Sequence, residues 1–193
     1  MGNKYSKKIY ILLDNYKGRR FNGPNDLWIA PNGGIYLTDP WYLRTYWKHT
    51  TPEQSSENVY YLPSGKKKAV IVEGNLSKPN GIVGTPDGKL LYISDIKAGK
   101  TFQYSITSNG SLKDKKLFIN QGSDGMTLDN LGNIYLTGDG VSIYSSAGKK
   151  IAHIFIPEIW TSNVCFGGKH KDNLFITASK SIYLLHMKVN GVE

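Results

Sequence analysis

The sequence predicts an all-β protein of the β-propeller type, and three observations carry this prediction. A phrase of two short apolar strands around a Gly-bearing turn occurs four times, in residues 24–39, 79–95, 123–138 and 162–178. Short runs of β-branched and aromatic residues lie between the copies, and no window has the apolar periodicity of a helix. Equivalent positions in successive copies are 55, 44 and 39 residues apart, which is close to the length of a four-stranded propeller blade.

The runs between the copies are expected to supply the remaining strands. Residues 9–13 precede the first copy, and residues 58–62 and 69–73 follow it. Residues 41–57 interrupt the first repeat and are interpreted as a loop inserted within a blade. The later runs are residues 102–106, 116–119, 141–144, 151–155 and 182–187. Each run is bounded by Gly, Asn, Asp, Ser or Pro, which are residues that favour turns.

A small polar side chain precedes the first strand of every copy: Asn25, Asn80, Asp124 and Asn163. In a propeller the innermost strand of each blade lines the central channel, so these side chains are expected to form a ring at one mouth. Amide and carboxylate oxygens suit hard cations such as Ca²⁺. The alternative is that each residue merely begins its strand with an Asx turn, which accounts for any single one of them.

Composition excludes several classes of function. The net charge of +9 is scattered, and the lysine runs at residues 66–68 and 149–150 follow Gly turns, so a solvated surface is favoured over nucleic-acid binding. No apolar run is long enough to span a membrane, and residues 1–10 do not resemble a secretory signal. The compartment stays open, with the cytoplasm slightly favoured, because a signal peptide could precede these residues. The single cysteine, Cys165, is expected to be a buried core thiol.

The repeated phrases resemble those of the gluconolactonase and senescence-marker-protein (regucalcin-like) family. RFNGPNDLWIAPNGGIYLTDPWY is similar to the bacterial gluconolactonase signature, and the three later copies are similar to the blades that follow it in the family. The resemblance implies a six-bladed propeller that hydrolyses lactones with one divalent metal on the channel axis. By position it implies that Asn80 and Asp124 are metal ligands and that Asn25 contacts the metal directly or through water and substrate.

The resemblance also implies a mechanism and a cofactor. The metal would polarise the lactone carbonyl while Asp124 acts as the base for the attacking water. Arg20 and Asp26 lie beside the ring and are candidate substrate contacts, together with Asn25. The family's substrate arginines do not align with Arg20, and a solvated surface arginine is the alternative there. Ca²⁺ is the preferred metal, with Zn²⁺, Mg²⁺ or Mn²⁺ as alternatives, and the lactone itself is not specified. Asp39 and Asp95 end their strands, and we expect them at the opposite mouth as turn formers.

The chain departs from the family pattern at its beginning. The glutamate that completes the family's metal site lies in a first blade, and no such segment is present in these residues. Six blades need on the order of 250 residues, so the 193 residues are expected to form one partial propeller domain (1–193) of about four to five blades. Open blade edges favour self-association, and the chain alone is expected to have weak or no activity.

Two rival functions remain open at this stage. A propeller can serve as a binding module or an inactive remnant, since fold does not fix function. The chain could also be a related hydrolase or synthase of the phosphotriesterase or strictosidine-synthase type, in which a histidine often lies at the channel. The histidines fall outside the ring positions, which disfavours that second alternative: His49, His153, His170 and His186.

Overall fold

The structure is a computed structural model that describes residues 9–192, and every regular element in that range is a β-strand. A short hairpin of β1 (Asn15–Tyr16) and β2 (Arg19–Arg20) precedes four sheets. Within the described range, no helix is present that could cross a membrane.

The four sheets follow one another along the chain as the blades of a propeller. The first blade contains β3 (Leu27–Ile29), β4 (Ile35–Asp39), β5 (Asn58–Leu62) and β6 (Val70–Glu73). The second contains β7 (Pro79–Gly84), β8 (Leu90–Asp95), β9 (Lys100–Ile106) and β10 (Leu112–Ile119). The third contains β11 (Met126–Leu128), β12 (Ile134–Gly138), β13 (Gly140–Tyr144) and β14 (Lys150–Ile154). The fourth contains β15 (Thr161–Gly167), β16 (Asn173–Ala178) and β17 (Ser181–His186).

Each blade is an antiparallel meander in which the first strand is the innermost. Contacts between blades join neighbouring inner strands, β3 to β7, β7 to β11 and β11 to β15, so the blades form an arc around a common axis. The all-β propeller prediction is therefore confirmed, with four blades in the described residues. The fourth blade has three strands where the others have four.

The core lies between the blades, because each blade buries the side chains that face its neighbours. Tyrosines at the same place in the second strand of three blades, Tyr36, Tyr92 and Tyr135, are at most 4% exposed. Trp28 packs against Gly84 of the second blade, where a side chain would collide with the indole ring. Because successive side chains of a strand point to opposite faces of the sheet, each strand contributes side chains to both faces of its blade.

Three expectations from the sequence are wrong in detail. Residues 9–13 are not part of a strand. Cys165 is exposed, because it lies on the face of the last blade that no further blade covers. Asp39 and Asp95 lie at the same mouth as Asn25 and Asn80, since the second strand of each blade is antiparallel to the first and returns to its start.

Both aspartates cap the segment that leads into the inner strand. Asp39 accepts hydrogen bonds from the backbone N–H groups of Asn22 and Gly23 at 3.0 and 2.7 Å. Asp95 accepts from Ser77 and Lys78 at 2.7 and 3.0 Å in the second blade. The two carboxylates therefore hold equivalent turns at the mouth that carries the candidate site.

Candidate functional site

Asn80 is the most deeply buried polar residue of the predicted ring. It lies in β7 with a relative exposure of 2%, and its Nδ2 donates a 2.9 Å hydrogen bond to the Tyr42 hydroxyl. Its Oδ1 is buried and has no hydrogen-bond partner. An unpaired buried amide oxygen is unfavourable, so this atom is suited to accept a ligand.

Asp124 lies just before β11 and is partly buried. Its Oδ2 accepts a 2.8 Å hydrogen bond from the indole N–H of Trp160. Within residues 9–192 no protein donor is bonded to Oδ1, which leaves this oxygen available beside the channel. The indole therefore fixes the orientation of the Asp124 carboxylate, while Oδ1 accepts no hydrogen bond from the described residues.

Asp26 connects the first blade to the second at the same mouth. Its Oδ1 accepts from the N–H of Leu27 at 2.9 Å, and its Oδ2 accepts from the N–H of Ile82 at 3.1 Å. Burial raises the pKa of Asp26 to about 6, these two donors oppose the rise, and the nearby negative charge of Asp124 adds to it. Asp124 therefore lies close enough to Asp26 for its charge to contribute to the raised pKa of Asp26.

Two glycines allow the inner strands to approach one another at this mouth. A Cβ atom added to Gly81 would lie 2.5 Å from the backbone oxygen of Asp124. One added to Gly125 would lie 2.8 Å from the Cα atom of Asn163. The Asn-Gly and Asp-Gly pairs at residues 80–81 and 124–125 thus combine a polar side chain with the close packing of neighbouring inner strands.

The inserted loop, residues 41–57, brings Tyr42 to Asn80. Lys78 ties the loop to the second blade by donating to the backbone oxygen of Trp41 at 2.6 Å and by pairing with Glu57 at 3.2 Å. The Lys78 ammonium also lies 4.6 Å from the centre of the Tyr42 ring. Burial raises the pKa of Tyr42, and the negative charge of Asp124 contributes to the rise, so its phenol stays neutral.

The other predicted site residues lie differently. Asn25 is exposed, and it borders a groove of about 250 Å³ that residues 11–13 also line. Arg20 is on the surface, where its guanidinium lies 3.5 Å from Glu53. Asn163 is exposed, and its Oδ1 accepts a hydrogen bond from the next residue, Val164.

The register of the fourth blade also differs from the sequence alignment. Leu27, Ile82 and Met126 pair with Leu37, Ile93 and Leu136, and Val164 pairs with the corresponding Ile176. Counting back two residues reaches Asn25, Asn80 and Asp124 in the first three blades but Ser162 in the fourth. Asn163 is therefore equivalent to Asp26, and the predicted ring of four equivalent residues is wrong at this position.

The donor chemistry fits a hard cation. Across the described part of the chain, no three His, Cys, Asp or Glu side chains converge as metal ligands. A site here therefore depends on an amide oxygen, Asn80 Oδ1, together with a carboxylate oxygen of Asp124. Oxygen ligands of this kind are those that Ca²⁺ takes in proteins.

Sequence reasoning missed Tyr42 and Trp160, which contact the two proposed ligands directly. Both lie outside the strands, in the inserted loop and in the connection that precedes β15. Their positions carried one signal, since each is a large aromatic residue within three residues of a repeated copy. The presence of an aromatic residue near a repeat does not indicate which residue its side chain contacts.

The curated relatives of this chain include proteins named as lactone hydrolases. A gluconolactonase of Zymomonas mobilis is 33% identical over 196 residues, which cover 94% of this chain and 55% of the relative. A lactonohydrolase of Aspergillus oryzae is 24% identical and covers 95% of this chain and 48% of the relative. The chain therefore spans about half the length of these relatives.

Solved structures show the same fold. The structure of a gluconolactonase from Xanthomonas campestris matches with a TM-score of 0.84 and 30% identity, over 92% of this chain and 61% of that one. Regucalcin from Agrobacterium tumefaciens, a calcium-binding protein, matches with a TM-score of 0.72 and 23% identity, over 87% and 62% of the two chains. The model of the SMP-30/gluconolactonase/LRE-like region matches residues 2–180. The chain belongs to this SMP-30/gluconolactonase family.

Proposed function

We propose that the site at this mouth binds a divalent cation and hydrolyses a lactone. The observation that carries the proposal is the buried, unpartnered Oδ1 of Asn80, on an inner strand that packs at Gly81 against the backbone of Asp124. The lactonase names of the relatives support the reaction class. Ca²⁺ is the cation we favour, because the donors are neutral and anionic oxygens.

Asn80 and Asp124 would hold the cation, with Asn25 as a further ligand from the first blade. A cation bound there would supply a Lewis acid that polarises the lactone carbonyl. Asn80 presents its oxygen because the Tyr42 hydroxyl receives its amide N–H. Asp124 keeps one oxygen open because Trp160 holds the other.

Asp124 is also the proposed base for the attacking water. Water would give a proton to Asp124 as it adds to the carbonyl carbon, the ring carbon–oxygen bond would break, and the same proton would pass to the leaving ring oxygen to give a hydroxy acid. The Trp160 indole fixes the carboxylate, so its open oxygen can accept a proton without a change of rotamer.

Arg20, Asn25 and Asp26 are the proposed substrate contacts. Asp26 lies at the same mouth, and its two carboxylate oxygens accept hydrogen bonds from the backbone of Leu27 and Ile82. Arg20 would have to exchange Glu53 for the substrate. A surface pair of this kind costs little to break.

The direct test is hydrolysis of D-glucono-δ-lactone by the purified chain with added Ca²⁺, Zn²⁺ or Mn²⁺. Metal-dependent turnover that is lost in Asp124→Ala and kept in Asp139→Ala supports the proposal. Asp139 is a suitable control, because it is an exposed carboxylate in the turn between β12 and β13. A chain that gains thermal stability from metal but shows no turnover would instead be a binding module.

A further inference from the structure

The second blade departs from the repeat just before its inner strand. The residue two positions before the predicted ring residue is a glycine in the first and third blades and a lysine in the second: Gly23, Gly122 and Lys78. A Cβ atom added to Gly122 would lie 2.9 Å from the Cα atom of Ile96, so the third blade has no room for a side chain there. Of these three blades, the second alone places a long cationic side chain at this position.

The main chain of Lys78 is held by the second blade itself. Its N–H donates to Asp95 Oδ1 at 3.0 Å, and its C=O accepts from the N–H of Ile96 at 3.1 Å. Asp95 also accepts from the N–H of Ser77 at 2.7 Å. The Lys78 side chain therefore extends from a main chain that is fixed on both sides of the residue.

The Lys78 ammonium and the Glu57 carboxylate bracket Trp41 at the start of the inserted loop. Glu57 Oε2 accepts from the Trp41 N–H at 3.0 Å, and Lys78 donates to the Trp41 backbone oxygen at 2.6 Å. Lys78 and Glu57 also pair with each other at 3.2 Å, with side chains 20% and 22% exposed. An ion pair shielded in this way loses less to solvent screening than a surface pair. Both backbone polar groups of Trp41 are thus held by one ion pair.

Tyr42 follows Trp41 directly and connects this ion pair to Asn80. The centre of its ring is 4.6 Å from the Lys78 ammonium, which is within the range of a cation–π contact. Its hydroxyl accepts the 2.9 Å hydrogen bond from Asn80 Nδ2. Because Nδ2 is engaged in this way, the amide atom left without a partner is Oδ1. The orientation of the Asn80 amide therefore depends on the position of Tyr42.

The fourth blade has a large side chain at the equivalent position. The N–H of Ser179 donates to the Trp160 backbone oxygen at 2.9 Å, as the N–H of Ile96 does to that of Lys78, so Trp160 is the counterpart of Lys78. The Trp160 indole reaches back to Asp124, just as Lys78 reaches back to the loop of the preceding blade. Both side chains thus contact the residues that hold or form the candidate site.

We propose that Lys78, together with Glu57, is a positioning residue for the cation site and acts through Tyr42 on the orientation of the Asn80 amide. Lys78 has this role only if Asn80 Oδ1 binds the cation, so the proposal rests on the proposed function. Without the ammonium, Trp41 and Tyr42 lose their link to the second blade and the amide is free to rotate. Half a turn presents Nδ2, a hydrogen-bond donor that cannot ligate a cation, in place of Oδ1.

Calorimetric titration of the purified chain with Ca²⁺ compares Lys78→Met with Lys115→Met. Methionine removes the charge and keeps a long side chain. Lys115 is the matched control, because it also joins the second blade to the first, at 2.9 Å from Glu73, and lies 4.7 Å from the ring centre of Phe102. Lys78→Met should weaken Ca²⁺ binding about 10-fold, as residues that orient a metal ligand typically do when lost. Lys115→Met should leave the affinity unchanged.

Combination with Tyr42→Phe tests whether Lys78 acts through the tyrosine. Adding Lys78→Met to Tyr42→Phe should lower the Ca²⁺ affinity little further, because the fixed orientation of the amide is already lost. Additive losses, or a Lys78→Met affinity equal to that of the wild type, would overturn the role of Lys78 and leave the cation site in place. A wild type that binds no Ca²⁺ would overturn the proposed function and the role of Lys78 with it.

Limited proteolysis measures the anchoring of the loop without any metal. Trypsin cleaves after Arg44 and Lys48, which are exposed in the inserted loop. Cleavage there should be faster in Lys78→Met and unchanged in Lys115→Met, while Lys78→Arg, which keeps the charge and its donors, should restore both protection and Ca²⁺ affinity in part. Glu57→Gln replaces Lys78→Met in both assays if the latter does not fold. Equal cleavage in the variant and the wild type would overturn the proposal.

Discussion

The two middle blades and the two end blades carry the same repeat but present it differently. In the second blade Asn80 is 2% exposed and its oxygen has no partner, whereas Asn25 of the first blade and Asn163 of the fourth are exposed. Asp124 of the third blade is partly buried and held by Trp160. A polar residue at the start of an inner strand becomes a candidate ligand when neighbouring blades enclose it on both sides.

The apolar faces of the middle and end blades also differ in exposure. Side chains that are buried between middle blades are exposed at the two ends of the arc that the described residues form. The repeat therefore encodes a surface that is complementary to itself.

The largest expected effect is on the rate of lactone hydrolysis, which a substitution in a middle blade should lower far more than one in an end blade. Asp124→Ala should lower metal-dependent lactone hydrolysis at least about 10²-fold, because it removes both a proposed ligand and the proposed base. Asn163→Ala should change the rate little, since that side chain is exposed and bonded only to the next residue. Steady-state assays on both variants check this, and similar losses in the two would contradict the distinction.

A second comparison concerns packing between blades. Ile82→Ala should lower the free energy of unfolding by about 2–5 kcal/mol, because it leaves a cavity between blades. Leu27→Ala, at the equivalent but 56% exposed position, should cost less than about 1 kcal/mol. Urea unfolding measures both values. Equal costs would show that the first blade is covered.

The pH dependence of stability should include a contribution from Asp39 in the first blade. Burial raises the pKa of Asp39 to about 6, although the N–H groups of Gly23 and Asn22 oppose the rise. The folded state therefore binds the proton more tightly than the unfolded state, in which the pKa is near 3.8. The stabilisation is fully present below about pH 4 and is lost as the pH rises through 6.

Asp39→Asn should remove this part of the pH dependence. By linkage, the difference between wild type and variant should change by about 2–3 kcal/mol between pH 4 and pH 7. Urea unfolding at a series of pH values measures it. A constant difference across that range would mean that Asp39 has an ordinary pKa.

The smallest effect concerns the loop that covers a middle blade. Tyr42→Phe removes the acceptor of the Asn80 amide N–H, so the amide should lose its fixed orientation and Ca²⁺ affinity should fall about 10-fold. Tyr46→Phe is the matched control in the same loop, because Tyr46 is 79% exposed. Calcium titrations by calorimetry compare the two, and equal affinities would exclude a positioning role for Tyr42.

Local pattern predicted the blades well, because strand periodicity and turn residues recur in each copy. Local pattern was wrong where contact with a neighbouring strand or blade determines whether a residue is paired or buried. Cys165 has an apolar setting in the sequence but is exposed, and residues 9–13 have strand character but pair with no strand among the described residues. Asn163 pairs with Thr177, which aligns it with Asp26 and not with Asn25 of the first blade.

The candidate site was predictable only in part. The repeat indicated Asn80 and Asp124, since both begin inner strands. Tyr42 and Trp160 reach them from irregular segments, whose paths depend on contacts such as Lys78 with the inserted loop. No periodic pattern records these contacts.

The most direct test of the account is the effect of Ca²⁺ on the melting temperature of the chain and of Asn80→Leu. Leucine keeps the approximate volume of asparagine and removes the oxygen that lacks a partner. The account predicts that Ca²⁺ raises the melting temperature of the wild type and of Asp139→Ala but not that of Asn80→Leu. An equal rise in Asn80→Leu and the wild type would contradict the proposal that Asn80 and Asp124 form a cation site.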